Sequence, residues 1–329
     1  MKRRGCILLG ALAVLAMLSA AGAGAEEYVM RLTLGGGLCE APMQIAVEKG
    51  YFDEEGLKYE IARSSGLTST LPELIASGKV DGCYMMLPLI SLQLNNGIDF
   101  RIASGVHKGC LAVLAPVDSE IRTAADLKGK VVGVPGIGSS PMLITQRAMM
   151  KAGIDARMEA GEVEFLSFNG SDLPLALKNG SVDAIATSEP NASILVEQGL
   201  AKMVFDTAHH EDYKNEICCV MVFNTDFAKN HPDVAVKFLK ALRKACDFIR
   251  ENPEEASRIQ IDARHVATGH LELNTKLNDS FDYRVSVSGG IEAFRANLVD
   301  LQNLKLLNAE FDIDAIMERY VVHFDGFED

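Results

Sequence analysis

Apolar positions between residues 28 and 206 fall into a recurring order. Short runs that alternate or are wholly apolar occur at 28–34, 57–62, 130–134 and 162–168, and each leads through a loop into a stretch with helical spacing. The first helical stretch of each set opens on a proline, Pro42 or Pro141, which suits a first helical turn, and stops at Gly50 or Gly153. Each set thus predicts strand, helix, strand, helix, strand: a parallel α/β unit, closed by right-handed crossovers.

The two sets are copies of one another. Leu71-Pro72, Gly78 and Val80-Asp81-Gly82 align with Leu173-Pro174, Gly180 and Val182-Asp183-Ala184 at a constant offset of 102 residues. The register continues through Ser69 with Ser171, Leu87 with Glu189 and Pro88 with Pro190. In open α/β sheets ligands bind beyond the carboxyl ends of the strands. Two such units facing each other would line a cleft with four strand-to-helix loops, at 35–41, 64–70, 135–140 and 169–172. After Asp206 the repeat ends. His231-Pro232 opens a long predicted helix whose Ala235, Phe238, Leu239, Leu242, Cys246 and Ile249 form one apolar stripe, and Asn252-Pro253 ends it. Further helical patterns lie at 291–307 and 314–320. The apolar runs 110–115 and 217–223 fall where the chain must pass between units and are expected to be hinge strands.

Residues 1–25 follow a different pattern. Lys2, Arg3 and Arg4 precede an apolar core at 7–19, and Ala23-Gly24-Ala25 stands before Glu26, the layout of a cleavable export leader. The apolar core is shorter than a bilayer span, and Cys6 precedes it instead of following it, so neither a retained anchor nor a lipoprotein is expected. Cleavage after Ala25 leaves 304 of the 329 residues, enough for two domains and exported without direct membrane insertion. The expected division is a leader at 1–25, a first lobe at 26–112 that resumes at 221–329, and a second lobe at 113–220.

Composition narrows the partners. With 48% hydrophobic residues and a net charge of −13, the chain is globular, and it lacks the clustered basic residues that nucleic acid or an acidic membrane surface requires.

The run Ala41-Pro42-Met43-Gln44-Ile45-Ala46-Val47-Glu48-Lys49-Gly50-Tyr51-Phe52-Asp53-Glu54-Glu55-Gly56-Leu57 resembles the opening signature of the alkanesulfonate, taurine and nitrate type of ABC-importer substrate-binding protein. Asp126-Leu127-Lys128-Gly129-Lys130-Val131-Val132-Gly133, Val182-Asp183-Ala184 with Glu189-Pro190, and the helix at 231–252 agree with it in the same order. The resemblance implies a type II periplasmic-binding-protein fold: two α/β lobes joined by two hinge strands, closing on one small solute. Delivery to a membrane permease and its ATPase follows. The same resemblance leaves open a pyrimidine or aromatic-acid ligand, a sensor that presents its closed form to a receptor, and an enzyme built on this fold, although no nucleophile beside a base is evident.

The candidate ligand residues come from the loops. Gly36, Gly37, Leu38 and Cys39 form the first loop, and Gly138, Ser139 and Ser140 precede a helix whose free N–H groups and dipole favour an anion. Ser139 or Ser140 would equally serve as a helix cap. Ser69, Thr70, Ser171 and Asp172 repeat that arrangement, with capping favoured as their role. Glu189 is expected to face the cleft, where it would take an N–H donor or join a hinge-side salt bridge. His107 and Lys108 end a strand-like segment before the first crossing, offering a donor to the pocket or a solvated loop. Six cysteines remain after cleavage: Cys39, Cys83, Cys110, Cys218, Cys219 and Cys246. At most one disulfide is expected, between Cys110 and Cys218 or Cys219. No C-x-x-C or His-x-x-His spacing occurs, so neither zinc nor any other cofactor is expected, although Cys39 with the hinge cysteines is a combination able to present soft thiolates. His209-His210-Glu211-Asp212 is expected to be a solvated loop.

Overall fold

The structure, a computed structural model, describes residues 27–62, 70–266 and 269–329. The leader and Ser69 lie outside the described residues. Ten strands form two five-stranded sheets. They are β1 (Val29–Leu32), β2 (Lys58–Ile61), β3 (Gly82–Met86), β4 (Arg101–Lys108), β5 (Leu111–Pro116), β6 (Val131–Val134), β7 (Glu164–Ser167), β8 (Ala184–Ser188), β9 (Ala201–Asp206) and β10 (Ile217–Phe223). The sheets run β2-β1-β3-β10-β4 and β7-β6-β8-β5-β9. In each, the first three strands are parallel, and a fourth enters antiparallel beside the third. The two α/β lobes with open sheets are as the sequence implied, while the antiparallel strands make each sheet mixed where only parallel units were expected.

That topology refines the role of the two apolar runs expected as hinge strands. β5 is the fourth strand of the second sheet and β10 the fourth strand of the first, each buried among neighbours. Their continuous apolar character is what burial on both faces demands. The crossings themselves are short, at Gly109-Cys110 and along 207–216.

The helices are α1 (Ala41–Glu48), α2 (Tyr51–Glu54), α3 (Leu71–Ala76), α4 (Leu87–Leu92), α5 (Ser140–Lys151), α6 (Leu173–Lys178), α7 (Asn191–Glu197), α8 (Thr225–Asn230), α9 (Pro232–Glu251), α10 (Pro253–Asp262), α11 (Leu271–Ser280), α12 (Val287–Asn303) and α13 (Ile313–Tyr320). The α9 stripe is buried as its spacing predicts and packs on α1 and α2, with Phe238 stacked on Phe52 at 5.5 Å between ring centroids. Pro253 both ends α9 and opens α10, since it cannot continue the first helix yet fits the first turn of the second.

The repeat is a repeat of bonds. Asp81 bonds to both backbone groups of Arg31: its N–H donates to the carbonyl (2.8 Å) and its carboxylate accepts from the N–H (2.7 Å). Asp183 does the same to Val131, at 2.8 Å for each bond. The Val-Asp pair therefore stitches the entry to the third strand of each lobe onto the first. Gly78 and Gly180, both at positive φ, stop the preceding helices so that the chain can turn into that pairing.

Candidate functional site at the junction of the lobes

Only Gly109 and Cys110 separate β4 of the first sheet from β5 of the second. Gly109 has φ +40°, and a Cβ there would lie 2.5 Å from the Cα of Ala208 on the returning crossing, so glycine alone lets the two crossings touch. Thr207 ties them together: its Oγ1 accepts from the N–H groups of Cys110 and Leu111, both at 3.0 Å, and its own N–H donates to Leu111 O at 2.8 Å. Beside this knot, Arg147 of α5 is buried and reaches Asp300 of α12 and Glu216 of the return crossing.

Against the same junction the fold gathers a group of thiols and one imidazole. A sulfur from each of Cys39, Cys110 and Cys219 and a ring nitrogen of His107 all lie within 4.8 Å of one another. Cys218 joins them from the side, its Sγ 3.0 Å from that of Cys110, with both thiols free. Neighbours on a regular strand point to opposite faces. Here the β10–β4 pairing slips three times, on both sides of Cys219 (from Ile217 and to Val220) and again between Met221 and Val222, and such irregularities re-aim side chains. Cys218 and Cys219 thereby approach one cluster.

His107 is fully buried. Its Nδ1 is 2.9 Å from Lys108 O, while Nε2 makes no hydrogen bond among the described residues. Phe281 stacks on the ring at 5.2 Å and Tyr283 meets it edge-on at 5.7 Å. Burial is the largest influence and opposes protonation of the ring, but the charge and hydrogen bond of Cys39, the charge of Cys218 and the Lys108 carbonyl together outweigh it and raise the pKa to about 9. Cys39 is held well below the ordinary thiol range, chiefly by hydrogen bonds from Cys110 and then Cys219.

The first loop is positioned by buried amides. Gln44 Nε2 donates to Gly35 O (2.9 Å) and Gly37 O (3.1 Å), and Gln44 Oε1 accepts from Gln260 at 2.6 Å. Asn278 donates to Gln260 Oε1 at 2.7 Å, and Tyr283 Oη donates to Leu38 O at 2.7 Å. This network joins α1, α10 and α11 and fixes the turn that carries Cys39. Burial raises the pKa of the Glu40 carboxyl to about 7, against the pull of the Gly35 N–H that it accepts.

The remaining sequence candidates separate. Gly36 is exposed, with Gly37 half-buried and Leu38 buried. Ser139 and Ser140 begin α5, yet neither hydroxyl caps it: both Oγ atoms are buried and have no partner among the described residues. Gly138, at positive φ, turns the chain into that helix. Thr70 and Asp172 stand at the starts of α3 and α6 without a side-chain capping bond, and Ser171 is exposed, its Oγ 3.5 Å from Asp172. Capping, the role expected for them, is therefore not what these side chains do. Lys108 pairs with Asp282 at 3.3 Å. The exposed His209 bonds to Asp206 at 2.8 Å.

Glu189 is mostly buried and accepts from the N–H and Oγ of Ser193, both at 2.9 Å, with no salt bridge among the described residues. Burial raises its pKa. It lines a cavity of about 280 Å³ between lobes that also touches Cys110, Met203, Lys276, Leu277 and Phe281. Tyr84, whose buried Oη has no partner among the described residues, was not singled out, whereas Cys110, Cys218 and Cys219 were expected as disulfide candidates and, with Cys39, as a combination able to present soft thiolates. Their one sequence signal was the number of cysteines in the apolar runs.

Two open mixed sheets, each receiving a strand from the other's side and joined by two short crossings, define a two-lobed protein of the periplasmic-binding-protein fold. The chain belongs to the NMT1/THI5-like family, whose profile matches residues 40–256. A putative aliphatic sulfonates-binding protein of Bacillus subtilis is 29% identical over 97% of this chain and 95% of its own length. The 4-amino-5-hydroxymethyl-2-methylpyrimidine phosphate synthase THI12 of Saccharomyces cerevisiae is 27% identical over 74% of this chain and 70% of its own. Among solved structures, the periplasmic aliphatic sulphonate binding protein SsuA of Escherichia coli superposes with a TM-score of 0.73 at 17% identity, covering 92% of this chain and 94% of its own.

Proposed function

We propose that this chain is the extracytoplasmic solute-binding component of an ABC importer, holding a small organic anion of the sulfonate, taurine or nitrate class between its lobes and passing it to a permease and ATPase. The observation that carries the anion assignment is the start of α5. Two buried, unpartnered hydroxyls, Ser139 and Ser140, stand there beside the free N–H groups of a twelve-residue helix, whose dipole favours negative charge. The end-to-end likeness to the Bacillus sulfonates-binding protein supports the ligand class and the export. The N–H groups of Gly36, Gly37 and Cys39 are the donors assigned to the other lobe, and the mature N-terminus is Glu26.

A thermal-shift panel of sulfonates, carboxylates, nitrate and pyrimidines tests the ligand class. Anions should raise the melting temperature, and Ser139→Leu with Ser140→Leu should weaken their binding about tenfold or more while the chain stays folded. Stabilisation by neutral or cationic compounds alone would overturn the anion assignment. Intact mass of periplasmic protein checks cleavage after Ala25.

A second reading, a pyrimidine-like ring with N–H donors, is favoured by the cavity beside Glu189, where a carboxylate faces Phe281 and other apolar side chains. Stabilisation by pyrimidines that is lost in Glu189→Gln would select it.

A further inference from the structure

We propose that Cys39, His107, Cys110 and Cys219 are a structural metal site for a thiophilic, tetrahedral divalent cation of the zinc type. Three sulfurs and one nitrogen within 4.8 Å of one another supply a complete four-coordinate donor set, and three of the four residues are buried. Soft thiolates with one imidazole select zinc-like ions over calcium or magnesium, which take oxygen donors. A tetrahedron on zinc–sulfur bonds of about 2.3 Å has edges of about 3.8 Å. The widest separation present must therefore shorten by about 1 Å, a change within reach of small side-chain rotations.

The surroundings fit a metal ligand better than a core histidine. With Nδ1 donating to Lys108 O, Nε2 is the ring nitrogen left to bind a metal, which takes the place of its proton, and a backbone carbonyl on the distal nitrogen is the usual support of a ligating histidine. Phe281 and Tyr283 fix the ring plane. Tyr283 also holds the Leu38 carbonyl next to Cys39, and the backbone N–H of Cys110 is held by Thr207. A buried nitrogen without a hydrogen-bond partner among the described residues, on an imidazole that reaches within 4.8 Å of three sulfurs, is an unfilled valence that a cation would satisfy. All four positions come from protein, which describes a structural site rather than one open to substrate. The ligands come from the first loop, the end of β4, the first crossing and β10, so the metal would staple the base of the hinge. Cys110 also borders the cavity beside Glu189, which provides a route in. This site rests on other observations than the anion assignment and shares with it only Cys39, by its side chain here and its backbone there.

Binding is written M²⁺ displacing three protons from the cluster of three cysteines and one histidine, giving a metal tris-thiolate imidazole centre and three protons in solution. No oxidant or reductant is required. The competing chemistry is a Cys110–Cys218 disulfide, which needs the loss of two electrons and two protons and would remove one ligand.

The test uses protein purified from the periplasm, reduced anaerobically, stripped with chelator and titrated with cobalt(II), then zinc(II). Expected are one equivalent of cobalt, the intense visible bands of a tetrahedral thiolate site with sulfur-to-cobalt charge transfer, displacement by zinc, and three protons released. Cys110→Ser and Cys219→Ser should each weaken cobalt binding about 100-fold or more, while Cys218→Ser, which cannot form the competing disulfide, and Cys246→Ser should bind as the parent does. No cobalt uptake by folded protein with all six thiols titratable, or a weak octahedral spectrum, would overturn the proposal. So would loss of binding in Cys218→Ser with retention in Cys219→Ser. Thermal shifts with sulfonates in the metal-free protein report the anion assignment separately, so failure of one leaves the other standing.

Discussion

Arg147 Nε donates to Asp300 Oδ2 at 2.7 Å, from a helix of the second lobe to a helix of the first. The same guanidinium makes paired bonds to Glu216 of the return crossing, both at 3.1 Å. Arg147 is 3% exposed, whereas the two carboxylates keep contact with water, at 24% and 41%. Asp300→Ala should therefore cost about 1–2 kcal/mol, below the value for a fully buried pair. It should also enlarge the radius of gyration of ligand-free protein in small-angle scattering, because a tie between lobes is lost. An unchanged scattering profile would remove Arg147 from the control of lobe spacing.

Gly109→Ala should be far worse than an ordinary glycine-to-alanine change. The new Cβ would meet the Cα, Cβ and N of Ala208, and backbone cannot move aside as a flexible side chain can. A loss of about 3 kcal/mol or more is expected by chemical denaturation, against about 1–2 kcal/mol for Gly129→Ala, where positive φ strains the alanine but its Cβ meets open space.

Asp81 and Asp183 occupy matching positions of the repeat yet should respond differently to alanine. Asp81 is fully buried and accepts from Tyr28 Oη at 3.0 Å and from the Arg31 side chain as well as its backbone. Asp183 is exposed and its carboxylate accepts the Val131 N–H alone among the described residues. Urea melts should show about 2–3 kcal/mol lost for Asp81→Ala and about 0.5–1 kcal/mol for Asp183→Ala. Equal losses would mean that the shared backbone stitch, and not burial, sets the cost.

Glu189 gives a pH signature. Burial raises its folded-state pKa above the unfolded value of about 4.3, so in the window between the two the native state keeps a proton that the unfolded chain has lost. Its contribution to stability therefore falls as pH rises through that window. Glu189→Gln abolishes this slope. The variant should gain stability relative to the parent on going from mildly acidic to neutral pH, and parallel pH profiles would show that Glu189 carries no such shift.

Much of the architecture was already visible as local periodicity. The Leu-Pro, Gly and Val-Asp elements of each repeat, and the apolar stripe of α9, declare their structures because helix caps, strand alternation and one-sided burial act over a few residues. The order of these elements was enough for two α/β lobes. Pairing partners act at a distance, so the hinge strands could not be told from central sheet strands: an apolar run looks the same whether it crosses between sheets or is buried within one.

The chemistry at the junction was decided by tertiary structure alone. Cys39 and Cys219 lie far along the chain from His107 and Cys110, and the one local spacing among the four, His107-x-x-Cys110, says nothing of the other two. They meet because β10 returns from the second lobe to insert beside β4, because irregular pairing turns adjacent cysteines toward one cluster, and because an amide network far along the chain fixes the loop that carries Cys39. Residue types and local rhythm are properties of sequence neighbours. A donor set drawn from four elements is a property of how the sheets are threaded, and it exists only once the chain has crossed between its lobes and come back.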